Sequence, residues 1–508
     1  MITLKSNINF MIKQQCIARP KLPSIGCMMH PTLIGRLSFS AIFSGLALVS
    51  AAQTAPVINS RIAETRPNII LILTDDQGWP QTRAGMHPDI PESGIGYLNT
   101  PSMDRLASEG MRFTSGYSPQ TICTPSRRSI LCGMTPARQR GTKFQSDFFD
   151  PSKHLTIPRA IKSIDPSYVC AFFGKWGEHM EASPVQCGYD ESDGITGNVD
   201  GNMIDGKMVF PQHPWDVSVS DDPKATFSLS KRAIDFIRRQ TSTGHPFYLQ
   251  VSYYAVHQRI QTKSTTLDKY EAKGPSPRAF PPGFAGMLED LNTGIGQILQ
   301  TLDEIGIGAN TYVFFTSDNG TDAELTKGEA VPSCNYPLRR GKQTIYEGGI
   351  RVPFIVRGPG IKPGSVSHIP VAGYDLLPTF YELAGGNEAL PGDLDGGSFA
   401  SLLKGNGLGE IKRPIPGLIF HLPFPIKGGI PMSAIRVGDF KLLVHWDDKK
   451  YELFDLATDI GEKNNLADQM PAKTKELFDI LQSYLKSVNA ETPLDPKAPK
   501  PVRREKEE

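Results

Sequence analysis

Short apolar runs alternate with longer segments of helical spacing along most of the chain. The first run, residues 67–74 (PNIILILT), is continuous and rich in β-branched residues, which is typical of a strand buried on both faces of a parallel sheet. Similar runs predict strands at 168–173, 246–253, 311–317 and 352–356, and amphipathic spacing predicts helices at 224–240, 284–305 and 375–383. This alternation predicts an α/β fold over residues 66–410, with helices on both faces of a mostly parallel sheet.

The pattern changes after about residue 410. Short apolar segments at 418–421, 434–437, 440–446 and 451–454 predict antiparallel strands, and residues 473–488 have the spacing of one amphipathic helix. Residues 411–490 are therefore expected to form a smaller α+β subdomain. Residues 491–508 are rich in proline and charge, which favours a disordered tail.

The N-terminal 52 residues have the layout of a secretory signal. They contain no Asp or Glu, and Arg36 precedes an apolar, small-residue stretch at 37–52 (LSFSAIFSGLALVSAA). A start at Met28 or Met29 would make residues 1–27 an upstream extension. We expect residues 1–52 to be absent from a mature protein that is secreted or periplasmic; a buried N-terminal helix is the alternative. The apolar stretch is shorter than the roughly 20 residues that a membrane-spanning helix needs.

Removing this segment changes the charge and the cysteine count. The whole chain has 54 basic and 53 acidic residues and a net charge of +1. Five of the basic residues lie within 1–52, so the mature chain has 49 against 53 and is mildly acidic. This balance gives no reason to expect a nucleic-acid partner. Of seven cysteines, five remain, an odd number that suggests a separate role for one of them: Cys123, Cys132, Cys170, Cys187 and Cys334.

Polar pairs directly follow two of the predicted strands. Asp75 and Asp76 follow the first strand, and Asp318 and Asn319 follow the strand at 311–317. Either pair alone is more simply explained as a turn or a helix cap. The carboxyl ends of parallel strands are, however, where ligands bind in α/β sheets. Three carboxylates and one amide oxygen would suit Ca²⁺ or Mg²⁺ better than Zn²⁺.

Residues 121–133 (TICTPSRRSILCG) predict a short helix with Pro125 in its first turn and Gly133 at its end. Cys123 then lies at the helix N-terminus, where free N–H groups and the helix dipole favour an anion. Arg127 and Arg128 add positive charge. A thiol in this place is expected to be reactive, unless it is buried or forms a disulfide.

The segment Cys123–Arg127 resembles the Cys-x-Pro-Ser-Arg signature of the sulfatase family. Further segments resemble that family in the same order along the chain: 69–78, 174–176 (GKW), 253–257 (YYAVH), 314–320 (FFTSDNG), 340–353 and 434–442 with 453–456. The chain is thus similar to arylsulfatase-like, formylglycine-dependent type I sulfatases of the alkaline phosphatase superfamily. The resemblance implies an alkaline-phosphatase-like α/β domain with a small antiparallel C-terminal subdomain.

The resemblance also implies a cofactor, a modification and a partner. Asp75, Asp76, Asp318, Asn319 and the modified Cys123 would bind the metal ion, with Ca²⁺ expected rather than Mg²⁺. A formylglycine-generating enzyme would convert Cys123 to formylglycine during export. The hydrated aldehyde would attack sulfur with one hydroxyl and later expel sulfate through the other, which a serine or cysteine cannot do.

Five further residues are implied in catalysis or substrate binding. Arg127, Lys175 and Lys342 would supply positive charge to the sulfate group. His257 and Lys342 would stabilise the departing alkoxide, and these two residues and Lys175 would contact substrate. The family usually has His two residues after the signature lysine, where this chain has Gly177, so we consider His179 as a replacement.

We expect an exported sulfatase acting on a sulfated carbohydrate, because an exported enzyme meets such polymers, with a small aryl sulfate as the alternative. The segments 190–222 and 258–282 are expected to shape its pocket, and His421 is a further candidate for substrate binding. Two other classes stay open. One is a phosphoester or phosphonate-ester hydrolase on the same fold, and the other is a non-catalytic protein that binds sulfated glycans.

Overall fold

The computed structural model describes residues 66–143, 149–180, 182–209, 212–213, 215–322, 332–424 and 430–493. The expected signal peptide and residues 494–508 of the expected tail lie outside this part of the chain.

Strands β1 to β18 are, in chain order, Asn68–Thr74, Met111–Phe113, Gly116–Tyr117, Val169–Gly174, Glu191–Ser192, Met203–Ile204, Lys207–Met208, Val217–Val219, Phe247–Ser252, Ile260–Thr262, Thr311–Ser317, Phe354–Arg357, Ser365–Ser367, Val371–Ala372, Leu418–Leu422, Met432–Val437, Phe440–His445 and Tyr451–Asp455. Helices α1 to α10 are Pro101–Glu109, Cys123–Cys132, Ile157–Ile164, Thr226–Thr243, Ser264–Lys273, Pro282–Glu304, Glu347–Ile350, Leu376–Leu383, Ala400–Lys404 and Pro471–Ser487. Short 3₁₀ turns include Asp200–Asn202 and Pro223–Ala225.

Eight of these strands form the central sheet within the described residues, in the order β13-β2-β12-β11-β1-β9-β4-β5. β1 lies in the middle, in parallel pairs with β11 and β9. Only β12 is antiparallel to its neighbours β11 and β2. The mostly parallel α/β sheet predicted from the apolar runs is therefore confirmed, and the run at 352–356 contributes its one reversed strand.

The central strand is buried on both faces. Ile69, Leu71 and Leu73 belong to one apolar cluster, with α2, α3 and α8, whereas Ile70 and Ile72 belong to a second cluster, with α1, α4 and α6. All five side chains have no exposed surface. Because successive side chains of a strand point to opposite faces, the continuous apolar run provides a core on each side of the sheet.

The C-terminal strands form a separate antiparallel sheet in the order β15-β16-β17-β18. Helix α10 packs on this sheet through Leu477, Leu481 and Tyr484. The smaller α+β subdomain predicted for this region is confirmed.

Two negative findings concern the described residues only. No helix there is both long and apolar enough to cross a membrane. The five cysteines that follow the expected signal peptide are all buried and unpaired, so Cys123 forms no disulfide with any of the other four.

Candidate active site

Three buried carboxylates meet at the carboxyl ends of β1 and β11. Thr74 is paired with Ser317 in parallel register, so the residues that follow these two strands lie side by side. Asp75, Asp76 and Asp318 each offer one oxygen, and these oxygens lie within 4.8 Å of one another. The Asp76 N–H also donates a hydrogen bond to Asp318 Oδ1 at 3.1 Å. The structure thus brings together the three carboxylates of the predicted metal site.

Asn319 adds an amide oxygen to this carboxylate cluster. Its Nδ2 donates to Asp76 Oδ1 at 2.7 Å and to the carbonyl of Gly320 at 2.9 Å. Asn319 Oδ1 is buried and has no hydrogen-bond partner among the described residues, and the same is true of Asp75 Oδ1. Buried polar atoms without a partner are rare in proteins. Two of them in one group of oxygens indicate a place for a cation.

Each carboxylate of the cluster is paired with a buried basic side chain. The pairs are Lys175 with Asp75 at 2.5 Å, Lys342 with Asp76 at 2.6 Å, and Arg127 with Asp318 at 2.8 Å. The site therefore concentrates three positive and three negative charges away from water, where electrostatic interactions are strong.

The pKa values reflect this crowding of charge. Burial and then the negative charge of Asp75 raise the pKa of Asp318 to about 7. Burial also raises the pKa of Asp76. It would do the same for Asp75, but Lys175 and the other nearby cations hold the pKa of Asp75 well below its usual range. At Asp76 and Asp318, burial and repulsion between carboxylates thus outweigh the nearby cations, and a bound metal ion would add positive charge that favours their ionised form.

Cys123 lies beside this cluster, at the N-terminus of the ten-residue helix α2. Its side chain is buried, and the next residue, Thr124, donates through Oγ1 to the carbonyl of Glu178 at 3.0 Å. Burial would lower the pKa of Lys342, but the negative charge of Asp76 and then an electrostatic interaction with Cys123 raise it above its usual value. Cys123 also interacts electrostatically with Lys175 and Arg127, so it lies near the cations of the carboxylate cluster.

The two arginines of this helix have different surroundings. Arg127 is four residues after Cys123, so it lies on the same helix face, and its Nη1 donates to the carbonyl of Lys175 at 2.7 Å. Arg128 points elsewhere and donates to the carbonyl of Gly141 at 3.1 Å. Arg127 also pairs with Asp318, so its charge belongs to the carboxylate cluster.

His257 borders the cluster on another side. Its Nε2 is 3.8 Å from Asp76 Oδ2, and burial followed by the charge of Lys342 holds the pKa of His257 well below its usual range. His257 also lines a cavity of about 320 Å³, which we call the side cavity. Its other lining residues are Glu178, His179, Asn198, Val199, Asn202, Gln258 and Arg259.

The missing family histidine has a local explanation in the backbone. Gly177 has a φ of 150°, and a Cβ on it would lie 2.9 Å from Met180 Cγ. A side chain at 177 would thus be strained. His179 is exposed and lines the side cavity, so the structure places this proposed replacement next to His257.

His421 lies in the C-terminal sheet rather than in this cluster. Its Nδ1 is 2.6 Å from Ser433 Oγ and its Nε2 is 2.7 Å from the carbonyl of Glu491. His421 lines another cavity, of about 650 Å³, together with Trp446 and residues of α10. None of the residues that we have placed at the carboxylate cluster or the side cavity lines it.

Several residues of the side cavity have no family signature that would single them out. Asn198, Val199, Asn202, Gln258 and Arg259 fall within 190–222 and 258–282, the segments that the sequence predicts to shape the pocket. The polar, loop-rich composition of these two segments predicts that they shape the pocket, but it does not show which of their side chains line it.

Comparison with known proteins gives the family. Residues 67–386, more than half of the chain, match the model of the Sulfatase family. The chain belongs to the sulfatase family. Residues 340–491 of this sulfatase also match the model described as "N-sulphoglucosamine sulphohydrolase, C-terminal". The family and the class of enzyme predicted from the sequence, a sulfuric ester hydrolase, are thereby confirmed.

A relative agrees with this assignment, and solved structures have a similar fold. The sulfatase is 30% identical to N-acetylgalactosamine-6-sulfatase of Mus musculus, over 84% of this chain and 79% of the mouse protein. Its fold is similar to the crystal structure of Ps i-CgsB in complex with k-i-k-neocarrahexaose, with a TM-score of 0.68, 24% identity and coverage of 84% and 94%. It is also similar to BT4656 in complex with its substrate D-glucosamine-2-N,6-O-disulfate, with a TM-score of 0.62, 20% identity and coverage of 84% and 99%.

Proposed function

We propose that this sulfatase is exported, and that it hydrolyses the sulfate ester of a sulfated carbohydrate with a formylglycine made from Cys123 and a bound Ca²⁺ ion. The observation that carries the proposal is the position of Cys123. It lies buried at a helix N-terminus and interacts electrostatically with Arg127, Lys175 and Lys342, the cations that pair with the carboxylate cluster.

The residues of the cluster fit a hard divalent cation. Asp75, Asp76, Asp318 and Asn319 offer oxygen atoms, and two of these oxygens are buried without a partner among the described residues. Ca²⁺ takes about 6–8 oxygen ligands in flexible geometry, so these side chains leave room for oxygens of the substrate. The bound ion would supply Lewis acidity and make a coordinated hydroxyl more acidic.

Residues of the chain itself would hold the sulfate and assist the leaving group. The formylglycine would supply a geminal diol, with one hydroxyl to attack sulfur and one to release the sulfate afterwards. Arg127, Lys175 and Lys342 would bind the sulfate oxygens and offset the charge that develops during transfer. Lys342 and His257, at the border of the side cavity, would donate a proton or hydrogen bond to the departing alkoxide.

The side cavity supports a carbohydrate as the group that carries the sulfate. Its volume of about 320 Å³ is at the small end of ligand pockets, and its lining is mostly polar. Carboxamide, carboxylate and guanidinium groups match the hydroxyls of a sugar ring. The named activities and ligands of the relatives, N-acetylgalactosamine-6-sulfatase among them, favour the same class of substrate.

The test combines mass spectrometry with turnover. The protein is purified from its natural host, the peptide that contains residue 123 is analysed, and release of sulfate is measured. The substrates are N-acetylgalactosamine 6-sulfate, D-glucosamine 2-N,6-O-disulfate, a sulfated carrageenan oligosaccharide and 4-nitrophenyl sulfate, with 4-nitrophenyl phosphate for the phosphoester alternative. Cys123→Ser is the inactive control.

We expect formylglycine at residue 123 and faster release from a sulfated saccharide than from either nitrophenyl ester. An unmodified thiol in active protein would overturn the formylglycine mechanism. Faster turnover of the phosphate ester would favour the phosphoester hydrolase. Binding of a sulfated saccharide without turnover by the wild type, unchanged in Cys123→Ala, would favour the non-catalytic glycan-binding protein.

A further inference from the structure

Lys224 is a buried lysine that lies behind the side cavity and has no part in the chemistry above. Its side chain is 1% exposed. Lys224 and Ala225 have φ values of 54° and 52°, a left-handed conformation that side chains other than glycine rarely adopt. The Lys224 N–H is fixed by a hydrogen bond of 2.8 Å to Gln261 Oε1. Such strained backbone persists only where the surrounding structure holds it, and it clusters at functional sites.

The ammonium group of Lys224 joins two different parts of the cavity wall. Lys224 Nζ donates to Asn202 Oδ1 at 2.7 Å and to the carbonyl of Gln258 at 2.9 Å. Both acceptors belong to residues that line the side cavity. Gln258 follows His257 in the chain, so one of the two bonds holds the main chain next to the proposed leaving-group residue.

Burial of the Lys224 ammonium group in this way is unfavourable for the stability of the fold. Among the described residues, no carboxylate lies within 4.0 Å of the Lys224 ammonium, and burial lowers the pKa of Lys224 to about 7. A buried charge without a direct counter-ion is less favourable than a packed apolar side chain of similar size. The presence of a lysine in this environment therefore indicates a role beyond packing.

Hydrogen bonds connect the part of the cavity wall that contains Asn202 to Thr124, the residue that follows Cys123. Asn202 Nδ2 donates to the carbonyl of Asn198 at 2.7 Å, and the Asn198 N–H donates to the carboxylate of Glu178. The carbonyl of Glu178 accepts the hydrogen bond from Thr124 Oγ1. A continuous set of hydrogen bonds thus leads from Lys224 along the cavity to the N-terminus of α2.

We propose that Lys224 is a positioning residue. It holds two parts of the side-cavity wall, one containing Asn202 and the other Gln258, at the separation that the sugar part of the substrate requires. The inference rests on the proposed function, in which the side cavity takes the sugar. Lys224 itself is too deeply buried to touch the substrate. It acts through Asn202 and through the main chain beside His257, and it would set the affinity for the saccharide rather than the reactivity of the sulfate group.

The test compares KM and kcat in Lys224→Met, Lys224→Arg, Asn202→Ala and the double variant Lys224→Met/Asn202→Ala. The substrates are 4-nitrophenyl sulfate and the saccharide of the panel that the wild type hydrolyses fastest. Lys269→Met, at an exposed lysine paired with Glu289 at 2.7 Å, controls for the substitution itself. Asn202→Ala removes the acceptor of the Lys224–Asn202 hydrogen bond and leaves the strained backbone of Lys224 unchanged.

We expect Lys224→Met and Asn202→Ala each to raise KM for the saccharide about tenfold, the size expected for a hydrogen bond to a charged group. KM for 4-nitrophenyl sulfate should change less than about threefold, and Lys224→Arg should recover part of the loss. The double variant should lose less than the sum of the two single losses, because the two changes share the Lys224–Asn202 hydrogen bond. Equal losses on the two substrates, or additive effects of the two changes, would overturn the proposal.

If the wild type hydrolyses no member of the panel, the proposed function fails and Lys224 is tested without substrate. Amide hydrogen exchange in Lys224→Met and Asn202→Ala should then rise together at 198–202 and 257–259, with residues 440–445 unchanged. Unchanged exchange in these two segments would overturn the positioning role.

Discussion

At the scale of the residue, Gly177 shows how backbone conformation limits the chemistry available at a position. The φ of 150° at Gly177 lies in a region that is almost restricted to glycine, and Met180 occupies the space of a Cβ. A histidine substituted at this position would meet both the unfavourable φ and the side chain of Met180.

We therefore expect Gly177→His to lower the free energy of unfolding by about 1–3 kcal/mol, the usual range for a residue forced into such a conformation. It should not raise kcat for any sulfate ester. Urea unfolding and steady-state kinetics would measure the two effects. Gly96→His is the matched control, since Gly96 is exposed and a Cβ on it meets nothing within 4 Å. Higher activity with unchanged stability in Gly177→His would contradict this account.

Residues of the site differ in how far the sequence identifies them. Asp75 and Asp318 follow buried strands directly, so their meeting at one sheet edge follows from the parallel register. Lys224 has no such signal. It lies just before α4, and its role depends on contacts with Asn202 and Gln258, which are distant in sequence and meet only in the folded chain.

At the scale of the element, the buried strands were predictable because each apolar run is long enough to span the core. The short strands β5 and β13 at the sheet edges, and β2 beside β13, have two or three residues each, which is too few for a pattern to distinguish them from loops. The reversed direction of β12 is equally invisible, since an apolar run carries no information about direction. It comes from the pairing of β12 between β11 and β2.

The C-terminal sheet is tied to the catalytic domain by a buried group of charges. Lys441 Nζ, on β17, donates at 2.8 Å to the carbonyl of Ile345, to Glu347 Oε1 and to Glu462 Oε1. Glu347 begins α7, and its N–H donates to Glu462 Oε2 at 2.7 Å. All three charged side chains are fully buried. Their contacts with one another therefore compensate for the hydration that each charge loses on burial.

Lys441→Met should accordingly lower the free energy of unfolding by about 3–5 kcal/mol, the range for breaking a buried ion pair by removing one partner. Chemical denaturation followed by circular dichroism would measure it. Lys450→Met is the control: Lys450 pairs with Glu452 at 3.1 Å but is 54% exposed, so its loss should change stability by about 0–1 kcal/mol. Equal effects of the two substitutions would refute the role of burial.

At the scale of the whole molecule, the proposed metal ion should stabilise the fold. A ligand that binds only the folded state adds about 2.7 kcal/mol at a concentration 100 times its Kd. The thermal midpoint of chelator-treated protein should rise with added Ca²⁺, and more than with the same concentration of Mg²⁺. Asp318→Asn should remove the rise. Asp290→Asn should keep it, because Asp290 is buried elsewhere and accepts from Thr262 and Thr266. A midpoint unaffected by Ca²⁺ would argue against the metal site.

Stability should also depend on pH through His421, which ties β15 to the C-terminal end of the described chain. Burial lowers the pKa of His421 to about 4, compared with about 6.5 in the unfolded chain. Above pH 6.5 the ring is neutral in both states, and its hydrogen bonds to Ser433 and to the carbonyl of Glu491 contribute fully. Between pH 6.5 and 4 the unfolded chain takes up a proton that the folded chain refuses.

Stability is therefore lost as the pH falls through this window, by about 3 kcal/mol from this residue alone. Urea midpoints at pH 7, 5.5 and 4 would show the loss, and His421→Gln, which carries no titrating ring, should reduce its slope while lowering stability at pH 7. Since His421 belongs to a cavity apart from the carboxylate cluster, turnover by His421→Gln at pH 7 distinguishes its two possible roles. Turnover close to that of the wild type would leave His421 a structural residue, whereas a large rise in KM would restore it as a substrate-binding one.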